Sequence, residues 1–584
     1  MKRPKTRNRC RALAALVLLT AWQPASADIE LVIEGVDEAV RLNLLVFLSL
    51  QRYRERDDLP VETVERLHER APNEVRQALR PFGYYEPTMQ SKIEKLENGR
   101  DWRVTLNIDP GAPVILREVN VEVTGPGAEE SMFSTLIADS ELKPGRRLSH
   151  AAYDKLKGDL QRTALGTGFL DARFVRHQLS VDPPNKRASA VLVLETGPRY
   201  HFGATEIEQD VIEPQLVRRY LRYKEGDNFE AVKLLTTQFA LEDTQYFSNV
   251  EIIPGAREPQ TLTVPVTIRA QPSKKNKYTI ALGYGTDTRV RGTLAWDNRR
   301  INDKGHRSRV ELLGASNKQA VETRYIIPVG DPALERLGAD LTWSHEELAD
   351  LDVTALKLTP SLTQIRGRWQ RVLFTTLERS VSESVDERST DTFLMPGISY
   401  ALLPPNFSVD SLVLERGLYA ELVGSNNAFG SDADFLQFRV QDERVFNLSE
   451  KWHLIVRAEL GLSGIEDFSE MPGSRRFFAG GDSSVRGFGL NELSPVDADG
   501  NRTGGRHLMV GSIEIERDLP RRFGVAVFYD AGNAINKLGD PLEYSVGIGI
   551  RWRIPVVTLG LDVAQALSRP ELSPRIHLNI QPRL

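Results

Sequence analysis

The 584-residue sequence predicts an array of α+β repeats of order β-α-α-β-β, followed by a transmembrane antiparallel β-barrel of about sixteen strands. Three observations lead to this fold class. The N-terminus has the pattern of an export signal, a mixed helix-and-strand pattern recurs three times before residue 273, and the remainder consists of strands in which apolar residues alternate with polar residues or glycine.

The export signal is predicted over residues 1–27. Six basic residues without an acidic one precede the short apolar run Ala12–Trp22, and Ala25-Ser26-Ala27 is a small-residue cleavage site. Cleavage would move the formal net charge from −5 to −11 and remove Cys10, which is the single cysteine. An acidic mature chain argues against nucleic acid as a partner, and an exported chain without disulfides must be stabilised by its own packing or by a membrane.

The repeats divide the next part of the chain into three predicted domains, 28–111, 112–197 and 198–272. In each, a helix leads through a turn marked by glycine or an aromatic residue into a strand, and the markers Gly83, Gly168 and Tyr246 lie 85 and 78 residues apart. In the second domain the spacing predicts an amphipathic helix over 149–165, capped by Ser149. The stripe predicted to be buried comprises Tyr153, Leu156, Leu160 and Ala164.

Residues 273–584 are predicted to form the barrel. Tyr278–Tyr284 and Tyr544–Trp552 are examples of strands with one apolar and one polar or glycine face. One such strand fits a soluble sandwich equally well. The large number of these strands on an exported chain favours a barrel, and a segment of this length holds about sixteen strands, since one strand and its connection take roughly 19 residues.

One glycine- and serine-rich connection, predicted as a lumenal loop near 473–507, fits neither helix nor strand. It contains Gly480 and Gly481, followed by Val485, Arg486, Gly487 and Phe488. The stretch Val485-Arg486-Gly487-Phe488 resembles the Val-Arg-Gly-Phe/Tyr motif in the sixth extracellular loop of the BamA superfamily, and the three repeats resemble its periplasmic POTRA domains. The resemblance implies that the loop folds into the barrel lumen, where its arginine binds acidic residues on the wall.

Two strands after this loop supply the acidic residues. The period of two along each strand places Glu514 and Asp530 on the lumenal face, because a carboxylate facing lipid is costly. Both belong to segments that resemble superfamily motifs, Ser512-Ile513-Glu514 and Phe528-Tyr529-Asp530-Ala531-Gly532. We therefore expect Arg486 to bridge Asp530, with Glu514 nearby, and to fix the loop instead of performing chemistry. The alternative is a set of ordinary lumenal charges.

Three POTRA-like units and a barrel of this size are most similar to the TamA subfamily. That resemblance implies an outer-membrane factor of a Gram-negative bacterium, with its POTRA domains in the periplasm, that inserts or translocates autotransporter-type and other client proteins. It also implies an inner-membrane-anchored TamB-like partner and contact with, or movement of, outer-membrane lipids. Two alternatives stay open, namely a two-partner secretion transporter that exports a dedicated protein and, from another class, a passive porin.

Nothing in the sequence indicates an enzyme, a cofactor or a metal site. Neither a Gly-x-Ser-x-Gly elbow nor a phosphate-binding Gly-x-x-x-x-Gly-Lys-Ser/Thr loop occurs, and His345-Glu346 lacks the second histidine of a zinc helix because position 349 is alanine. We expect client proteins to be inserted or translocated at the junction of the first barrel strand, about 278–286, with the last one. Pairing should weaken near Pro582, since proline donates no ladder hydrogen bond.

Overall fold

The computed structural model describes residues 29–54, 60–96, 101–384, 388–404, 417–555 and 557–582, and these fall into two compact units. The first unit holds the described residues up to His201 together with Asn228–Ala231 and Glu258–Thr263. The second holds the rest of the chain. The predicted export signal, residues 1–27, lies outside the described residues.

The first unit contains two α/β modules, each built on a three-stranded mixed sheet. In the first module, β1 (Ile29–Glu34) and β2 (Thr88–Lys95) flank β3 (Trp102–Asp109), and the helices are α1 (Glu38–Phe47), α2 (Ser49–Arg52) and α3 (Val61–Leu79). In the second, β4 (Ile115–Thr124) and β5 (Arg173–Asp182) flank β6 (Arg187–Glu195), with α4 (Ser131–Asp139) and α5 (His150–Gly166).

The central strand of each sheet supplies one side of a hydrophobic core. Along β3 the burial alternates strictly, so that Trp102, Val104, Leu106 and Ile108 face the helices. Helix α5 begins as predicted, because the Ser149 hydroxyl accepts a hydrogen bond from the Ala152 N–H, and its predicted stripe is buried. None of the helices in the described residues is long and apolar enough to cross a membrane.

A third module of the same kind belongs largely to the second unit. Strands β7 (His201–Glu208) and β8 (Phe247–Pro254) flank β9 (Thr263–Pro272), and the helices are α6 (Pro214–Arg219) and α7 (Ala231–Glu242). This module is attached to the turns that enter the barrel strands. Tyr246 Oη donates to the Gly305 carbonyl at 2.5 Å, and Arg222 forms a 2.5 Å ion pair with Asp331. Gly305 is required there, since it has a positive φ and a Cβ would lie 2.7 Å from Tyr246 Oη.

Sixteen antiparallel strands of the described residues form one closed barrel, as predicted. They are β10 (Asn276–Gly285), β11 (Arg289–Asn298), β12 (Arg307–Gly314), β13 (Lys318–Pro328), β14 (Glu335–Leu348), β15 (Leu351–Arg366), β16 (Trp369–Glu383), β17 (Arg388–Leu402), β18 (Tyr419–Ser425), β19 (Phe435–Asn447), β20 (Trp452–Ile465), β21 (His507–Asp518), β22 (Phe523–Ile535), β23 (Glu543–Arg553), β24 (Val557–Ala566) and β25 (Arg575–Pro582).

The strand faces follow the alternation in the sequence. On β21, for example, Ile513 is 52% exposed on the outer face, whereas Glu514 is buried on the inner one. The apolar outer face and charged inner face are the arrangement expected of a barrel whose outside meets lipid.

Closure of the barrel is uneven. Ten residue pairs join β10 to β11 and eight join β24 to β25, but only two pairs, Tyr284↔Ile580 and Gly285↔Asn579, join the described parts of β10 and β25. We call this junction the seam. Next to it, Ile280 on β10 is 75% exposed. Pairing is therefore confined to one end of the seam, and none is described between β10 and residues 581–582, where Pro582 was predicted to weaken it.

Candidate functional site: a loop anchored in the barrel lumen

The connection between β20 and β21, residues 466–506, is the lumenal loop. It begins seven residues before the stretch predicted from the sequence and contains short 3-10 helices at Phe468–Glu470 and Gly473–Arg475. Isolated bridges pair Phe477 with Gly505 and Ala479 with Leu493. The loop is thus an ordered element with its own backbone hydrogen bonds.

Its arginine is buried against the wall. Arg486, 3% exposed, donates from Nε and Nη2 to the two carboxylate oxygens of Asp530 at 2.8 and 2.9 Å, and its backbone N–H donates to the same carboxylate at 3.1 Å. Its Nη1 donates to Glu514 at 2.6 Å. The paired contact with Asp530 uses the planar fork of the guanidinium, which a lysine lacks. The structure therefore brings together Arg486, Asp530 and Glu514.

The other motif residues shape this pocket. The Ser512 hydroxyl donates to Asp530 at 2.6 Å. The guanidinium carbon of Arg486 lies 3.3 Å from the centroid of the Phe528 ring, a cation–π contact. The ring has room because the neighbouring strand carries Gly547, where a Cβ would lie 2.2 Å from Phe528. Gly532 permits a similarly close approach, since a Cβ there would lie 2.6 Å from the Met509 carbonyl oxygen.

The apolar residues of the motif hold the loop by packing, in addition to the ion pairs of Arg486. Val485 and Phe488 are fully buried in a small core that also contains Phe477, Leu493 and Leu508. Gly487 has a φ of 96°, and a Cβ there would lie 3.2 Å from the backbone of Ala566. A larger residue at this position would be strained and crowded. Apolar burial and ion pairing thus act on the same short segment.

Gly480 and Gly481 lie apart from the arginine pocket. Both have positive φ values, and a Cβ on Gly481 would lie 2.5 Å from a carboxylate oxygen of Asp287, in the turn after β10. Gly481 therefore allows the loop to approach the seam, whereas Gly480 allows the loop to fold against its own backbone at Gly489.

Sequence reasoning missed several partners. Arg486 also lies 3.4 Å from Asp562, and Arg551 links Glu514, at 2.9 Å, to the same Asp562 carboxylate. Another arginine, Arg457, donates to Ser512 at 3.2 Å. All except Arg486 lie on inward faces of strands, so the period of two identifies them as lumenal but cannot say which of many lumenal charges meet.

The start of the loop is bound to a different part of the wall. Ser474 donates to the buried Glu378 of β16 at 2.6 Å, and Arg475 pairs with Glu421 of β18 at 2.9 Å. Because Arg486 is bound on β21 and β22, the loop runs from one part of the barrel wall to another. The loop is therefore tethered to the wall at two separate places.

One cluster of the described residues has the composition of a metal site. Asp287, Asp482 and His577 offer ligand atoms within 4.8 Å of one another. Burial raises the pKa of the Asp287 carboxyl; the Asp482 backbone N–H opposes this effect, whereas the Asp482 charge adds to it. Each of the three side chains already takes part in a hydrogen bond, so we assign no metal here.

A closed sixteen-stranded barrel with a tethered lumenal loop, preceded by α/β modules, defines a class of protein found in bacterial outer membranes. The family models agree: residues 276–581 match the Omp85 superfamily domain, and residues 30–110 match POTRA domain TamA domain 1. The first match covers about half of the chain. The chain therefore belongs to the Omp85 superfamily, which confirms the resemblance drawn from the loop motif.

Curated relatives and solved structures point the same way. The outer membrane protein assembly factor BamA of Nitratidesulfovibrio vulgaris is 24% identical over 58% of this chain and 45% of that protein. BamA of Neorickettsia risticii is 25% identical over 60% of this chain and 50% of that protein. The chain thus spans about half the length of these relatives. The structure of Haemophilus ducreyi BamA lacking POTRA domains 1–3 shares the fold, with a TM-score of 0.65 over 80% of this chain and 99% of that one, at 14% identity.

Proposed function

We propose that this protein inserts or translocates client proteins at the outer membrane, and that its seam is where client strands enter. The observation that carries the proposal is the seam itself, with two residue pairs between β10 and β25 against ten between β10 and β11. Strand edges left unpaired beside the short seam can template an incoming strand by backbone hydrogen bonding. A client protein that forms β-strands can pair with these edges through its own backbone N–H and C=O groups.

The lumenal loop supports this proposal over a passive porin. An open pore needs a free passage, whereas here the loop is bound to β16 and β18 at Ser474 and Arg475 and to β21 and β22 at Arg486. Single-channel recording should therefore show a small and intermittent conductance. A wide, permanently open pore would favour the porin.

The experiment for the seam is a reversible lock. Tyr284 and Ile580 are register partners across the seam, and adjacent antiparallel strands bring Cα atoms within disulfide range. The pair Tyr284→Cys/Ile580→Cys should abolish client assembly into liposomes when oxidised and restore it when reduced. The control pair Tyr278→Cys/Trp296→Cys, between the neighbours β10 and β11, should leave assembly unchanged in both states. Full activity with the seam locked would disprove the gate.

We further propose that the protein acts as a TamA-type factor, with its α/β modules in the periplasm and a TamB-like inner-membrane-anchored partner. The three modules and the match of residues 30–110 to a TamA-type POTRA model support this subfamily. Pull-down of the tagged full chain from the native envelope tests it. Recovery of a TamB-like protein is expected, and recovery of a dedicated secreted substrate without such a partner would instead favour a two-partner secretion transporter.

A further inference from the structure

One residue of the lumenal loop, Asp482, contacts both sides of the seam. On the β10 side, the Thr286 hydroxyl donates to the Asp482 carboxylate at 3.2 Å, and the Asp482 N–H donates to the Asp287 carboxylate at 2.6 Å. On the β25 side, the Asp482 carboxylate binds Nδ1 of His577. A single carboxylate therefore bridges the first and last barrel strands where they meet.

His577 joins this bridge to the arginine motif. Its Nε2 accepts a hydrogen bond from the Gly487 N–H at 3.1 Å, so in the neutral ring the proton is on Nδ1 and points at Asp482. The ring is buried, with 3% of its surface exposed, and both of its nitrogens are engaged. Gly487 follows Arg486 directly, so displacement of the arginine from its pocket would also displace the group that orients His577.

Backbone pairing between the described parts of β10 and β25 is short. Besides the two register pairs, the Thr286 N–H donates to the Leu578 carbonyl at 3.0 Å, and the Leu578 N–H donates to the Thr286 hydroxyl at 3.3 Å. The same hydroxyl donates to Asp482. The Thr286 side chain therefore joins the two strands just beyond their register pairs, and Asp482 accepts a hydrogen bond from it.

We propose that Asp482 is a positioning residue that latches β10 to β25, so that undocking of the lumenal loop releases the seam for a client strand. The release of the seam for a client strand rests on the proposed function. The latch itself can be tested without any client. The latch gives the loop the role of coupling the arginine pocket to the seam.

The test is hydrogen–deuterium exchange of the purified full chain in lipid nanodiscs, followed by mass spectrometry of peptides covering 276–286 and 575–582. Asp482→Ala should speed exchange in both peptides by about tenfold or more, since a hydrogen bond to a charged group is worth at least about this factor. The matched control is Asp499→Ala, an exposed aspartate of the same loop, which should exchange like the unmodified chain. Equal exchange in the two variants would overturn the latch.

A second variant separates coupling from local packing. The described contacts of the Arg486 side chain are to β21, β22 and β24, not to β10 or β25. Arg486→Ala should nevertheless speed exchange of 276–286, and Asp482→Asn, which keeps an acceptor but loses the charge, should lie between Asp482→Ala and the unmodified chain. Unchanged exchange of 276–286 in Arg486→Ala overturns the coupling.

Two further outcomes are distinguishable. If Asp482→Ala fails to form a heat-modifiable barrel, Asp482→Asn serves in its place, because it keeps the size of the side chain and removes only its charge, whereas Thr286→Val would also remove the acceptor of the Leu578 N–H. Asp482→Asn should speed exchange in 276–286, and an unchanged rate there overturns the latch. If the seam responds as expected but neither the unmodified chain nor any variant assembles clients, the proposed function fails while the latch stands.

Discussion

Replacement of Arg486 by alanine tests whether the buried ion pairs hold the lumenal loop in place. The change leaves Asp530, which is fully buried, with the Ser512 hydroxyl as its remaining side-chain donor among the described contacts, whereas Glu514 keeps Arg551 at 2.9 Å. Removing one partner of a buried ion pair costs about 3–5 kcal/mol, because the other charge is left uncompensated. At about 1.4 kcal/mol for each factor of ten, loop docking should weaken by roughly two to three and a half powers of ten.

Limited proteolysis with chymotrypsin measures this change, since Phe488 is fully buried only while the loop is docked. Arg486→Ala should be cleaved there much faster, while its heat-modifiable migration shows that the barrel itself has formed. Arg486→Lys should be intermediate, because it keeps a charge without the planar fork. The matched control is Arg502→Ala in the same loop, whose partly exposed pair with Asp350 should contribute much less than the buried pairs of Arg486.

Two comparisons decide whether the reasoning about charge is right. The double variant Arg486→Ala/Asp530→Ala should dock better than Arg486→Ala alone, since it removes the uncompensated carboxylate. Cleavage of Arg486→Ala at Phe488 at the rate of the unmodified chain would refute the role of the ion pairs in docking.

Two further predictions concern apolar packing and attachment of the third module. Phe488→Ala should destabilise the docked loop by about 3–5 kcal/mol, because a buried aromatic ring leaves a cavity, and proteolysis at Phe477 would report it; unchanged protection would contradict the packing argument. Tyr246→Phe should weaken attachment to the barrel by about 1 kcal/mol, since the Gly305 carbonyl loses its donor. Deuterium exchange of 302–306 should rise severalfold, and the same rate as in the unmodified chain would show that the hydrogen bond does not contribute.

Much of the site could be predicted because strand geometry is local. Side chains alternate between faces, and a carboxylate is excluded from the lipid face, so Glu514 and Asp530 had to be lumenal once their strands were recognised. The arginine was found from its motif. The contacts of Asp562 and Arg551 could not be predicted in the same way, because alternation gives the face of a residue but not its height relative to residues on other strands.

The seam and the path of the loop needed the folded structure. Asp482 and His577 are 95 residues apart, and Ser474 and Glu378 are 96 apart, so nothing in their local sequence relates them. They meet because closure of the barrel brings the last strand beside the first and because the loop crosses the lumen.

By itself, the sequence determined the succession of α/β modules and barrel, the inward faces of barrel strands such as β21 and β22, and the loop motif centred on Arg486. These follow from periodicity and short-range turn chemistry, which act within a few residues. Only the tertiary structure decided that two residue pairs join the described parts of the seam strands, that Asp482 bridges them, and that the loop is bound to two separate parts of the wall. The physical reason is that strand stagger, barrel closure and loop docking depend on the summed packing and hydrogen bonding of residues far apart in the chain.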